Sequence, residues 1–183
     1  MVFCITLYRA IFYAPTDEIP LPEGTTELTT ADSSSYPANI AIPKLKIDAR
    51  VVDVGITSRK NMGTPDNYSE VGWYRYGPAP GNRGSAVMAG HVDNGLSLPG
   101  VFAELGNLAI GDDVYVSNRG GENLHFIVSK IDTYDYDARD TDVFTESDGK
   151  FIKLVTCVGT WSSYTKTHDQ RLVVTALLAP PKD

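Results

Sequence analysis

Cysteine and histidine are scarce in this chain, with two of the first and three of the second among 183 residues. No CxxC and no paired Cys/His spacing occurs, which excludes a structural zinc site. A disulfide between Cys4 and Cys157 would tie an apolar tail to the middle of the domain, and none is expected. Positive charge is also short: 16 Lys and Arg face 23 Asp and Glu, for a net charge of -7. No basic stripe exists to neutralise phosphates, so nucleic acid is excluded as a partner. Long apolar runs are missing too, since a spanning helix needs about 20 apolar residues. Met1–Ala14 is apolar but shorter than that and broken by Arg9. It reads as a stub packing on the domain or as the remnant of a membrane anchor.

What is present is strand and turn material. The chain is rich in Val, Tyr, Thr and Gly, and 42% of it is apolar, enough for one domain with a proper core. Pro15–Pro37 lacks a periodic apolar pattern and reads as a linker, with the folded domain at 38–183. Leu21-Pro22-Glu23-Gly24-Thr25 superficially resembles a surface-sorting pentapeptide, but its last two residues stand in the wrong order. Strands are expected at Asn39–Leu45, Ile47–Val54, Ser85–His91, Asp113–Ser117, Asn123–Tyr134, Phe151–Cys157 and Arg171–Ala176. Met62–Pro80 reads as turn-rich, with the Trp73-Tyr74-Arg75-Tyr76 cluster wrapping a surface. Val101, Phe102, Leu105 and Leu108 fall at helical spacing and predict a helix over Leu98–Leu108. A helical turn is expected around Asp140–Thr145 in the acidic connector Asp135–Gly149. Many short strands with little helix point to an all-β, closed or nearly closed barrel.

The chemistry concentrates in Phe151–Ala176, two β-type runs joined by a polar loop. Cys157 closes the first run and Arg171 opens the second. Antiparallel pairing would bring them together, and a cation beside a thiol favours the nucleophilic thiolate. His91 ends a small-residue strand behind Ala89-Gly90 and is the first candidate for moving protons. The bland alternatives are a buried inert thiol, a structural histidine and a salt-bridged arginine. His168 is the second-choice histidine, because it lies just before Arg171; His125 reads as a satisfied strand residue. Asp135, Asp137 and Glu146 fall at three places of a calcium-loop register, but Arg139 and Asp140 break it, so no metal is expected. The Gly/Pro loop Gly77–Gly84 has no lysine placed for phosphate and receives no nucleotide role. Asn67-Tyr68-Ser69 fits a glycosylation acceptor, a motif too frequent to weigh.

Thr156-Cys157, Arg171 fourteen residues later, and Ala89-Gly90-His91 before them together resemble the sortases, the surface cysteine transpeptidases of mainly Gram-positive bacteria. The resemblance runs from about Asn39 to Ala179 and takes in Ile40-Ala41-Ile42-Pro43, Val71-Gly72-Trp73-Tyr74 and Phe144 to Gly149. Gly72-Trp73-Tyr74 and Ala89–Asp93 look most like the class E and F branches. The resemblance implies an eight-stranded sortase-type β-barrel with one or two short helices. It implies an LPxTG-type sorting signal as substrate, no cofactor, and an amine acceptor such as a peptidoglycan stem peptide or a pilin lysine. Action at the outer face of the cell membrane, anchored through the N-terminus, is implied as well. Cys157 would attack the threonine carbonyl, His91 would move protons, and Arg171 would hold the oxyanion. Thr156 would help the substrate or the oxyanion, and Phe144 would wall the pocket. Two other readings stand beside this one. An L,D-transpeptidase would gather His, Gly, Cys and Arg in one short segment, which this chain does not. A catalytically idle barrel would bind peptide or wall polymer.

Overall fold

The computed structural model of the chain describes residues 18–22, 33–94, 96–139, 141–144 and 148–180. Met1–Ala14 with Cys4, and most of Pro15–Pro37, lie outside the described residues. Eight strands form a closed barrel: β2 (Pro37–Ile42), β3 (Ile47–Val54), β5 (Val71–Tyr74), β6 (Gly84–Ala89), β7 (Asp113–Asn118), β8 (Asn123–Asp135), β9 (Lys150–Ser162) and β10 (Thr167–Leu178). Around the barrel the order is β10-β8-β7-β2-β3-β5-β6-β9. Two of the joins, β3 with β5 and β6 with β9, are parallel; the others are antiparallel. A separate two-stranded pair, β1 (Ile19–Pro20) with β4 (Asn61–Met62), lies outside this barrel.

Period-two alternation sorts the strands into two faces. Ala86 and Met88 of β6, Ile152 and Leu154 of β9, and Leu172, Val174 and Ala176 of β10 belong to the barrel core, with Trp73, Phe102 and Phe126. The intervening Val87, Ala89, Val155 and Val173 belong to a second buried cluster, packed by Ile19, Leu21, Met62, Tyr74 and Val143. That second layer explains why β6 and the middles of β9 and β10 are buried on both faces and read as continuous runs.

Several expectations need correction. Trp73 and Tyr74 do not wrap a surface: they lie in β5, buried, and Trp73 can be there because its indole Nε1 donates to Pro78 O at 3.1 Å. Leu98–Leu108 is not a helix. Phe102, Leu105 and Leu108 are buried as their spacing implied, yet only Leu105–Asn107 winds, as one 3-10 turn. The first backbone donors go elsewhere, Gly100 N–H to Val92 O, Val101 N–H to Tyr68 O and Phe102 N–H to His91 O, at 2.8 to 3.0 Å, and those of Ala103, Leu105, Asn107 and Leu108 close tight turns three residues back. Residues 141–144 are turns and bends, and Asp140 and Thr145 lie outside the described residues. Cys157 does not close its strand and Arg171 does not open its own, because β9 and β10 run on toward Ser162 and Thr167 as one long hairpin.

Gly90 shows how tightly the barrel end is packed. A Cβ there would stand 2.5 Å from Phe102 Cδ2 and 2.7 Å from Val101 Cγ1, and Phe102 is fully buried. Gly90→Ala therefore overpacks the site beside His91. Urea unfolding is expected to show a loss of about 1–3 kcal/mol; an unchanged midpoint would mean that Phe102 yields freely.

Candidate active site

The register of the β9–β10 hairpin sets Cys157 opposite Arg171. On the other side of β10, Arg171 is opposite Tyr134 of β8. The parallel join of β6 with β9 pairs Ala89 with Val155, and the Gly90 N–H donates to Val155 O at 3.0 Å. That bond delivers the residue after Gly90 to the cysteine strand. His91, Cys157 and Arg171 line one pocket with Thr64, Thr156 and Ile19. The end of β6 thus meets a hairpin that begins some sixty residues later.

All three side chains are buried. His91 Nε2 lies 2.7 Å from Pro65 O. A carbonyl only accepts, so in this contact Nε2 carries the hydrogen. The loop after His91 folds back onto it. Phe102 N–H donates to the His91 carbonyl, and Asn94 Oδ1 accepts from Leu96 N–H at 2.9 Å and Leu98 N–H at 3.0 Å.

Arg171 is 5% exposed, and its ion pairs among the described residues number none. Its guanidinium donates to the carbonyls of His168 and Gln170 and to the Thr167 hydroxyl. A buried, permanently charged group without a carboxylate is costly to keep. It makes the pocket receptive to negative charge.

The remaining candidates distribute unevenly. Thr156 lines the pocket, but it is the register partner of Leu172, on the face opposite Cys157, and its buried Oγ1 has no partner among the described residues. Phe144 is not in the pocket lining; it stands edge-on to Tyr74, ring centroids 5.6 Å apart. His168 does not reach Cys157. Its register partner is Trp161, and the two rings meet edge-on at 5.3 Å. His125 stacks on Tyr115 and bonds Asp113 at 2.6 Å, on β7 and β8. Glu146 of the calcium-loop register lies outside the described residues.

Two features escaped the sequence reading. The stretch read as linker contributes Glu18–Pro22 to the domain. Ile19 lines the pocket, Leu21 is buried, and Arg139 Nη1 donates to Leu21 O at 3.0 Å. Glu18 is paired to Arg59 at 2.8 Å and accepts from Asn61 at 3.0 Å. The alternation of Ile19 and Leu21 between prolines was the available signal, too short to stand out.

The second is a charge cluster around Asp142. Its carboxylate accepts from Tyr134 Oη at 2.6 Å and from Lys130 Nζ at 3.3 Å, and pairs with Lys153 Nζ at 3.6 Å. Lys153 also donates to the Asp142 main-chain oxygen. Burial pushes the Lys153 amine below its ordinary value, with Asp142 opposing. Burial works to raise Asp142, but the Tyr134 hydroxyl and the two lysines outweigh it and hold the carboxyl low. Burial, then the bond to Asp142, pushes Tyr134 up to about 12. Asp142 thereby pins the segment carrying Val143 and Phe144 to β8 and β9.

A closed mixed barrel with cysteine, histidine and arginine in one pocket defines a class of fold and site. The family model described as Sortase domain matches residues 40–179, more than half of the chain, and the chain belongs to the sortase family. Among solved structures it is similar to sortase C-1 from Actinomyces oris, at 26% identity and TM-score 0.59, covering 79% of this chain and 73% of that one. A Clostridium perfringens sortase D5 transpeptidase matches at 22% identity and TM-score 0.60, covering 79% of each chain. Sortase A from Corynebacterium diphtheriae matches at 20% identity and TM-score 0.61, covering 84% of this chain and 64% of that one. The last two, under 25% identical, speak to the fold alone. None of the curated proteins matches in sequence. The class E and F details of the sequence are not echoed by the classes of these three structures.

Two outcomes are expected. Ile19→Asp places a charge in an apolar contact and should loosen the cover, so iodoacetamide alkylation of Cys157 accelerates severalfold; an unchanged rate would show that Ile19 does not limit access. Asp142→Asn leaves the buried Lys153 charge uncompensated and should cost about 1–3 kcal/mol in urea unfolding at neutral pH, while Lys153→Met should be near neutral. The Asp142 contribution is present above pH 3.8 and is lost as pH falls through the lower folded-state value. The Lys153 amine works in the other range: stability rises as pH climbs from its lowered folded value toward 10.5. Equal loss in both variants would reject the pairing.

Proposed function

We propose that the chain is a cysteine transpeptidase that cleaves an LPxTG-type sorting signal and passes the acyl fragment to an amine acceptor at the cell surface. The observation that carries this reading is Arg171: a buried cation without a carboxylate, register partner to the one cysteine among the described residues. Membership of the sortase family supports it.

Acyl transfer from an amide requires a strong nucleophile, an acid for a poor leaving group and donors where negative charge develops. Cys157 Sγ, as thiolate, adds to the threonine carbonyl carbon, and the carbonyl π electrons move onto oxygen. The Arg171 guanidinium donates to that oxyanion, with paired donors that a lysine ammonium does not reproduce. His91, holding the proton that left the thiol, gives it from Nδ1 to the departing glycine nitrogen. The C–N bond breaks and a thioester remains. An incoming amine attacks the thioester, His91 takes its proton, and the C–S bond breaks to return the thiolate. The acceptor is a peptidoglycan stem-peptide amine or a pilin lysine, with water as the default.

Thr156 supports the substrate through its backbone, since its hydroxyl belongs to the opposite face from Cys157. Phe144, against Tyr74, forms an outer wall for the bound peptide rather than part of the inner pocket. We assign the reaction to the outer face of the membrane. Among the described residues no helix is long and apolar enough to cross a bilayer, and Met1–Ala14, the segment read as an anchor remnant, lies outside them.

Mass spectrometry of protein incubated with an LPxTG-type peptide tests the reading. The unaltered chain should gain the mass of the acyl fragment, and added amine should discharge it into a new amide. Cys157→Ala should gain nothing. Arg171→Ala should slow acylation by roughly 10²–10³, the loss seen when an oxyanion donor is removed. An adduct that survives Cys157→Ala would end the proposal.

A further inference from the structure

A guanidinium carries five N–H donors in a fixed plane. The hairpin of Arg171 takes three of them. Nη1 donates to His168 O and to Gln170 O, each at 3.0 Å, and Nη2 donates to Thr167 Oγ1 at 2.9 Å. Nε is buried and has no hydrogen-bond partner among the described residues. The hydrogens left over are that of Nε and one on Nη2. These two nitrogens share one edge of the guanidinium, the edge able to grip an oxygen with two parallel bonds.

Thr167 is the only side chain in this arrangement, the other two acceptors being main-chain oxygens. It begins β10, four residues before Arg171, a distance of about 13 Å along an extended strand. The arginine therefore folds back along its own strand, past the irregularity between His168 and Gln170, to reach the hydroxyl. Thr167 is itself buried. Nothing in the sequence marks it, because a threonine near a hairpin tip is ordinary strand material.

We propose that Thr167 is a positioning residue: by accepting from Nη2 it fixes the rotation of the Arg171 guanidinium, so that the Nε edge is the one presented to the oxyanion. This rests on the reaction proposed above. Without the hydroxyl, the two carbonyls still hold Nη1, but the plane can turn about it and the donor edge loses its aim. The oxyanion forms only in the transition state, so poor aim should slow acylation while leaving peptide affinity alone.

The test compares Thr167→Val, which removes the acceptor at nearly constant shape, with Thr167→Ser, which keeps it. With an LPxTG-type peptide, Thr167→Val should lower the acylation kcat by about 10- to 100-fold, the scale of a small misplacement, with KM changed less than about twofold. Thr167→Ser should stay within about threefold of the parent rate, and iodoacetamide alkylation of Cys157 should be the same in all three. Nitrogen-15 NMR of the arginine side chains gives a readout free of activity. The Arg171 Nη hydrogens should rotate slowly in the parent and in Thr167→Ser, and fast in Thr167→Val. Equal kcat in the parent and Thr167→Val, equal losses in the two variants, or the same Arg171 rotation in all three proteins overturns the assignment. If the parent forms no thioester, the transpeptidase reading fails, and the NMR comparison decides on its own whether Thr167 orients the arginine. Should Thr167→Val fail to fold by circular dichroism, Thr167→Ala is read by the same criteria.

Discussion

The pairing register of one hairpin governs this molecule. β9 and β10 face each other from Phe151 and Leu177 up to Ser162 and Thr167, and the ladder sets a thiol opposite a guanidinium. Because side chains alternate, a slip of one residue in either strand would send Cys157 or Arg171 into the barrel interior and bring Thr156 or Val158, or Gln170 or Leu172, out in its place. The register is held by both layers at once: Ile152, Leu154, Leu172 and Val174 in the barrel core, Val155 and Val173 in the outer cluster. A strand with one solvated face could tolerate a slip more cheaply. Here both faces are buried, so chemistry and packing fix the same alignment.

Two buried cations share the outer face, and they are treated in opposite ways. Lys153 is given a carboxylate, Asp142, and so anchors the segment that carries Val143 and Phe144. Arg171 is given carbonyls and a hydroxyl, and its charge is left for something else. Lysine suits the first place, since its amine can shed charge when desolvated, and burial already lowers its pKa. Arginine suits the second, because it stays charged wherever it is put. The contrast separates a cation paired with a carboxylate from one held by neutral acceptors.

Much of this was legible in the chain. Strand composition, turn chemistry and the absence of other reactive groups led to a β-barrel with Cys157, Arg171 and His91 as the residues to watch, and the pocket contains all three. The convergence of His91 was the less legible part. It depends on the parallel join of β6 with β9, a pairing between segments over sixty residues apart that no local pattern encodes. The helix expected over Leu98–Leu108 failed because apolar spacing reports which side chains are buried, and these residues are buried; where the backbone bonds go is a separate matter settled by Tyr68, His91 and Val92. Trp73 and Tyr74 looked superficial because Gly and Pro crowd around them, yet the turn at Pro78 supplies the acceptor that lets the indole sink. The Ile19 contact and the Asp142 cluster are tertiary throughout. They join segments whose own patterns are too short or too polar to announce a partner.

The parallel contact between β6 and β9 has a consequence in time. Barrel closure waits for a segment near the end of the chain to find one near its middle, so the contact is paid for in loop-closure entropy before it yields any packing. Until then the imidazole strand and the sulfur strand belong to separate pieces. A chain cut short before β9 lacks both Cys157 and Arg171, and one caught while still folding has not yet brought the strand before His91 to them. The pocket that gathers His91, Cys157 and Arg171 thus exists only in a finished barrel.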